Sequence, residues 1–277
     1  MSRIIIFLLA LLSVAATVAG AETDFTIQGP QGKLAARLQM PENSDKGDKL
    51  PLVILCHGFA GNSGGELFDD LTADLTADGI AVLRFDFNGH GRSEGEFQNM
   101  TVPNEIQDLR SVIAWARARK WVKNISLLGH SQGGVVAGMT AGELGRDSIQ
   151  CLVLMAPAAV LRDDALRGNT MGAMYDPWNM KEDYVALWGG NLKLGRAYIE
   201  SAISLPIYET SLRYTGPVLI VHGTHDRVVP YTYGDRYDRG YADSRLILLD
   251  GDDHGFTLNT PATARAVASW LKKELIH

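Results

Sequence analysis

Cysteine is almost missing from this 277-residue chain, which has only Cys56 and Cys151. There is no Cys-x-x-Cys pair and no Cys/His cluster at metal-ligand spacing, so the common zinc and dithiol-redox motifs are excluded. Each cysteine lies in or beside an apolar run of strand length, and both are expected as free buried thiols rather than as a bridge. Blocks of like charge are missing too. The 26 basic and 32 acidic residues are scattered, for a formal charge of −6. Nothing resembles a nucleic-acid footprint, and no polybasic segment suits an anionic membrane surface. Internal repeats and low-complexity tracts are also lacking.

One stretch departs from this even composition. Met1-Ser-Arg3 is a short basic start, Ile4 to Val18 is almost wholly apolar, and Ala19-Gly20-Ala21 has the small-x-small form of a cleavage site. The pattern is that of a secretory signal peptide removed after Ala21. Its apolar core is short for a spanning helix, and no nearby cysteine offers a lipid anchor. Residues 22–277 are therefore expected to be exported, periplasmic or extracellular, without stable membrane association after cleavage.

At 46% hydrophobic the chain can fill one large α/β domain or two small ones. Phe25–Gln28 and Leu34–Met40 form a strand pair around the turn cluster Gly29-Pro-Gln-Gly32. Apolar runs of strand length follow at Leu52–Cys56, Ile80–Phe85, Ile125–Leu128, Cys151–Met155, Val218–Val221 and Arg245–Leu249. Between them, Glu66–Ala77, Val102–Ala118, Gln132–Leu144, Tyr231–Tyr241 and Pro261–Leu275 read as helices, several with apolar residues at helical spacing. This alternation predicts parallel βαβ units and a sheet covered on both faces. The rhythm breaks at Ala156-Pro157, after which about sixty residues pass before the next clear strand. The gap carries Trp178, Trp188 and several tyrosines. Aromatics at that density need burial, so an inserted cap subdomain at about 157–213 is expected rather than a disordered linker.

The chemistry concentrates at Gly129-His-Ser131-Gln-Gly133. The G-x-S-x-G pattern marks a nucleophile elbow, where a buried strand turns sharply into a helix. The alternative is a glycine-rich turn with an incidental serine. A serine hydroxyl needs a histidine to take its proton and a carboxylate to fix that histidine's tautomer. In a doubly wound sheet both must come from loops at the carboxyl ends of later strands. Two loops qualify: His222-Gly-Thr-His-Asp226 and Asp250-Gly-Asp-Asp-His254. The expected nucleophile, acid and base are therefore Ser131, Asp226 and His254. Asp252 and Asp253 sit too near His254 in sequence and read as turn residues. His57 and His130 adjoin glycine turns and are expected to brace backbone. His222 is at a strand end, His225 directly precedes the acid, His90 lies in a glycine-rich loop, and His277 is terminal. Backbone amides of Phe59 and Gln132 are the expected oxyanion donors. No metal or organic cofactor is called for.

On these residues the chain resembles the α/β-hydrolases, over nearly all of residues 22–277. Within them it resembles the bacterial cinnamoyl (feruloyl) esterases, through His57-Gly-Phe-Ala-Gly61, Phe85-Asp-Phe-Asn-Gly-His-Gly-Arg-Ser93, Asn99-Met-Thr-Val102 with Asn104-Glu105, Gly129-His-Ser-Gln-Gly-Gly134, Leu205-Pro-Ile-Tyr-Glu209, His222-Gly-Thr-His-Asp226 and Asp253-His-Gly-Phe256. The resemblance implies a mostly parallel, doubly wound sheet with an inserted cap, and hydrolysis of hydroxycinnamate esters from plant cell-wall material. It also implies that Asp164 and Tyr198 contact the ring hydroxyls of the acyl group, and that the chain forms a homodimer. Asp164 as a helix cap and Tyr198 as core of the insertion are the competing readings. Met171 stands where some relatives carry glutamine, a departure that bears on dihydroxylated rings. A general short-chain or acetyl esterase, a serine peptidase, and a non-catalytic binding protein on the same fold are the alternatives in function.

Overall fold

Pro30-Gln31 closes a two-residue turn between β1 (Glu22–Gly29) and β2 (Gly32–Gln39), which pair antiparallel along their whole length. The computed structural model containing this hairpin describes residues 22–276 except 43, 45 and 46. The signal peptide expected at residues 1–21 and the terminal His277 lie outside the described residues. After the hairpin come β3 (Leu50–Cys56), α1 (Glu66–Ala77), β4 (Ala81–Phe85), α2 (Val102–Arg117), β5 (Val122–His130), α3 (Gln132–Leu144) and β6 (Leu152–Met155). The interrupted region supplies α4 (Val160–Arg167), β7 (Asn169–Thr170), β8 (Ala173–Met174), β9 (Tyr184–Leu187), β10 (Leu192–Gly195), α5 (Arg196–Ile203) and α6 (Ile207–Ser211). The chain then returns through β11 (Val218–Gly223), α7 (Thr232–Gly240), β12 (Ser244–Leu249) and α8 (Thr260–Leu275).

One eight-stranded sheet results, in the order β1-β2-β4-β3-β5-β6-β11-β12. β2 meets β4 antiparallel, and every pairing from β4 to β12 is parallel. Because side chains alternate along a strand, β3 sends Leu52, Ile54 and Cys56 to one face and Val53 and Leu55 to the other. The first face is covered by α2 and α3, the second by α1 and α8. Local chemistry sets the helix starts. Thr101 caps α2 by accepting from Asn104 N–H, and Asn259 caps α8 by accepting from Ala262 N–H, each with proline in the first turn. Both cysteines are free and buried.

The segment between β6 and β11 is folded and sits on the α2/α3 side of the sheet. Its two small antiparallel hairpins, β7–β8 and β9–β10, are separate from the main sheet. Leu187, Leu194, Tyr198, Ile199, Ile207 and Tyr208 join the core formed by α2 and α3. Helix α5 packs on α2 and α4, and α6 on α3. This is the inserted cap, and it rests on the helices that flank the elbow.

Tyr214 fastens the return from the cap. It is 1% exposed and donates its hydroxyl to Ile149 C=O at 2.9 Å, on the loop that feeds β6. Tyr214→Phe keeps the packing but leaves that carbonyl unpaired. Urea unfolding is expected to show a loss of about 1–3 kcal/mol; an unchanged midpoint would show the bond to be energetically idle.

Candidate active site

β5 ends on Gly129-His130, Ser131 follows, and α3 begins at Gln132. Ser131 adopts φ 57°, ψ −123°, a conformation that L-residues rarely hold. The flanking glycines are required because backbone passes where side chains would be. A Cβ on Gly129 would lie 2.1 Å from Gly133 C=O, and one on Gly133 would lie 2.3 Å from Cys56 C=O. The elbow is held from β6: Ser131 N–H donates to Met155 C=O at 2.9 Å, and Ser131 C=O accepts from Ala158 N–H at 3.0 Å.

The loops after β11 and β12 meet Ser131. His254 Nε2 lies 2.9 Å from Ser131 Oγ, and His254 Nδ1 lies 2.7 Å from Asp226 Oδ2. An ionised carboxylate can only accept, so Nδ1 carries the proton and Nε2 faces the hydroxyl as a base. Asp226 is saturated with donors. Its Oδ1 accepts from Val228 and Val229 N–H at 2.9 and 2.8 Å. Its Oδ2 also lies 3.2 Å from His222 Nε2, which shares its proton with Val229 C=O at 2.9 Å. Burial alone would raise the Asp226 pKa; hydrogen bonds from His222 and His254 reverse that and hold it well below the usual carboxylate range. His222, read from sequence as a strand-end residue, is thus a partner of the acid. The signal was its i, i+4 spacing to Asp226 next to a strand terminus. Asp252 and Asp253 are turn residues: Asp253 Oδ1 accepts from Gly255 and Thr257 N–H, each at 3.0 Å, and Asp252 Oδ1 accepts from Leu258 N–H at 3.1 Å.

The two remaining histidines of the site brace backbone. His57 Nε2 accepts from Phe87 N–H at 3.0 Å, so its proton is on Nδ1 and is donated to Gly58 C=O at 2.8 Å. His130 Nε2 donates to His254 C=O at 2.8 Å, tying the base's loop to the elbow. Burial pushes both imidazoles down, His57 to about 3 and His130 to about 4, so both are neutral at physiological pH. The braced Gly58 lies against the serine, where a Cβ would sit 2.8 Å from Ser131 Cβ. Phe59 follows it. On the other side Gln132 is the first residue of α3, where amides have no intrahelical acceptor. The backbone amides of Phe59 and Gln132 are thereby carried by the two chain segments that adjoin Ser131.

A cleft of about 450 Å³ opens over Ser131 and His254, lined also by Phe59, Met171, Val228 and Thr257. Asp164 and Tyr198 do not line it. Asp164 lies inside α4 rather than at its cap, half-buried, with its pKa raised by burial. Tyr198 is 2% exposed and donates its hydroxyl to Gln132 Oε1 at 2.8 Å. The Gln132 amide in turn donates through Nε2 to Glu105 Oε2 at 2.8 Å. Glu105 belongs to a stretch that carries the family resemblance, but nothing in the sequence gives it a role, because an acid in the first turn of α2 ordinarily faces water and favours the helix dipole. Here α2 packs on α3 and Glu105 is 1% exposed. Among the described residues, no group of three or more His, Cys, Asp or Glu is placed to hold a metal ion.

Comparison with known proteins agrees with this architecture. The family model described as serine aminopeptidase, S33, matches residues 47–181, and that of TAP-like protein matches residues 200–275. The solved structure of Est1E from Butyrivibrio proteoclasticus with ferulic acid bound is 32% identical, covering 90% of this chain and 98% of that one at a TM-score of 0.85. A monoacylglycerol lipase of Mycolicibacterium smegmatis is 29% identical over 207 residues, 66% of this chain and 72% of the relative. An uncharacterized 31.7 kDa protein from the traX-finO intergenic region of Escherichia coli is 34% identical over 122 residues, 43% of this chain. That match spans only 41% of the relative's own length. The chain belongs to the α/β-hydrolases.

Glu105 offers a test of the buried site. Burial raises its pKa well above the ordinary 4.5, aided by nearby Asp108 and opposed by the Gln132 bond. Only Oε2 has a donor, whereas Oε1 has no partner among the described residues. The folded state therefore favours the neutral acid. A raised carboxyl pKa contributes stability that is complete below the unfolded value and is lost as pH rises through the folded one. Glu105→Gln keeps an acceptor for Gln132 without that loss. Thermal melts are expected to coincide near pH 4 and to diverge in favour of the variant as pH rises. A constant gap would place the charged carboxylate in the fold.

Proposed function

We propose that this protein is a serine esterase that cleaves hydroxycinnamate (feruloyl, coumaroyl or caffeoyl) esters derived from plant cell walls. One observation carries the chemistry: the hydrogen-bonded chain Ser131–His254–Asp226 at 2.9 and 2.7 Å, open to a cleft. His254 takes the Ser131 proton as Oγ attacks the ester carbonyl, and the Phe59 and Gln132 amides receive the oxyanion. Collapse expels the alcohol with the proton from His254, leaving an acyl-enzyme. Water, deprotonated by the same histidine, then releases the acid. The acyl preference is supported by the likeness to Est1E, whose structure holds ferulic acid.

The relatedness to a monoacylglycerol lipase supports a second reading, a general carboxylesterase for aliphatic acyl groups. Initial rates on methyl ferulate, p-nitrophenyl acetate and an aminoacyl anilide separate these. The expected result is a kcat/KM highest on ferulate; equal or faster acetate hydrolysis would sink the cinnamoyl reading. Ser131→Ala is expected to lower kcat by about a million-fold. Asp226→Asn, which leaves the wrong imidazole tautomer facing the serine, is expected to cost about ten thousand-fold.

The expected signal peptide gives this reading a place, since an exported enzyme meets polymer-derived esters directly. Expression of the full chain in a bacterial host, followed by intact-mass measurement of the periplasmic fraction, is expected to find a species beginning at Glu22. Retention of the full-length mass in the cytoplasm would refute export.

A further inference from the structure

Both ends of the Gln132 side chain are occupied by groups from other elements. Its Nε2 donates to Glu105 of α2, and its Oε1 accepts from Tyr198 of the cap helix α5, both at 2.8 Å. All three residues are at most 2% exposed. Such a bond set adds little net stability, because an apolar trio of similar shape would also fill the space. What it supplies is orientation. Gln132 follows a residue in a strained conformation and opens a helix, so no preceding turn holds its amide in place. Tyr198 also reaches the other donor-bearing residue: its ring packs edge-on against Phe59, with centroids 5.8 Å apart. A single cap residue therefore touches both Gln132 and Phe59, the two residues expected to carry the oxyanion donors.

We propose that Glu105 and Tyr198 are positioning residues for the oxyanion site. They clamp Gln132 from two sides, so that seating of the cap on α2 and alignment of the oxyanion donors are one event. This rests on the serine-esterase reading above. It gives Tyr198 a role at the reaction centre that does not depend on the ring of the acyl group, and it brings Glu105 into the site. A neutral carboxyl suits the clamp, since it offers Gln132 an acceptor without placing a negative charge beside a forming oxyanion.

The test uses the full-length enzyme with Tyr198→Phe, Glu105→Leu and Glu105→Gln. Kinetics are measured on methyl ferulate and on p-nitrophenyl acetate, whose acyl group has no ring, and inhibition is measured with a trifluoromethyl ketone, which forms a serine-bound oxyanion. Tyr198→Phe and Glu105→Leu are expected to lower kcat by about tenfold on both substrates with KM little changed. That is milder than the roughly hundredfold or greater cost of deleting a donor. Affinity for the ketone is expected to weaken by the same factor, and Glu105→Gln to restore most of it. A Tyr198→Phe defect that appears only with ferulate, or only in KM, would overturn the proposal in favour of a ring contact. Unchanged ketone affinity in both Tyr198→Phe and Glu105→Leu would overturn it outright, as would Glu105→Gln being as impaired as Glu105→Leu. Should Glu105→Leu fail to fold, Tyr198→Phe and Glu105→Gln still decide the matter. Failure of the esterase reading looks different: hydrolysis would survive Ser131→Ala.

Discussion

The close crossing of β5 and α3 at the elbow is the constraint on which the rest depends. Holding Ser131 at φ 57° costs on the order of 1–3 kcal/mol, and it is tolerated because the surroundings leave no alternative. α3 is buried from Gln132 through Ala141, and Gly133 lies directly against the carbonyls that end β3. Relaxing the serine would pull a buried helix away from the centre of the sheet. The same crossing starts α3 at Gln132, the residue directly after the serine. The strain, the placement of Ser131 and the start of α3 are consequences of one backbone path.

Around that path the protein separates ionised from neutral groups by burial and donors. Asp226 is kept charged, because four donors converge on its two oxygens. Glu105 is driven towards its neutral form, because only one donor reaches it in a dry site. His57, buried, and His130, half-buried, are neutral, and both serve to fix loops. The negative charge of the site is thus placed behind the base, where it stabilises an imidazolium. The surroundings of the Gln132 side chain, a tyrosine hydroxyl and a carboxyl driven towards its neutral form, are neutral by contrast. Such an arrangement needs no reorganisation as charge moves from serine to carbonyl.

Much of this was legible in the sequence because topology limits the choices. In a parallel sheet every functional loop lies at the carboxyl edge, so the order Ser131, Asp226, His254 and the strand ends preceding them were enough to bring the three together. The glycines of the elbow announce a close approach that the structure bears out at 2.1 and 2.3 Å. Helices α1 and α3 were readable to the residue, whereas the cap was readable only as an interruption. Its strands are two to four residues long and have no period to detect. The buried polar partners were hidden for a different reason. Glu105 and His222 have ordinary local contexts, a helix start and a strand end, and only the packing of α2 on α3 and the turn after β11 give them roles. Family resemblance implies that Tyr198 contacts a substrate ring; nothing in the sequence signals that its hydroxyl also donates to Gln132.

The cap meets the reaction centre through two routes of unlike consequence. Met171 reaches the cleft directly from the β7–β8 turn, 41% exposed, where a change of side chain alters the shape offered to an acyl group and little else. Tyr198 reaches it from α5, which is packed on α2, and its hydroxyl ends on Gln132, the residue after the serine. Changes at the first place are free to adjust which ester is accepted. Changes at the second are constrained, because Tyr198 is buried and bonded to the residue that follows Ser131. The apolar residues that seat the cap, Leu194, Ile199 and Ala202 among them, are correspondingly buried to 1% or less. Specificity in such a fold is therefore expected to drift along the exposed hairpins of the cap, while its attachment to α2 and α3 stays fixed by the geometry of the elbow.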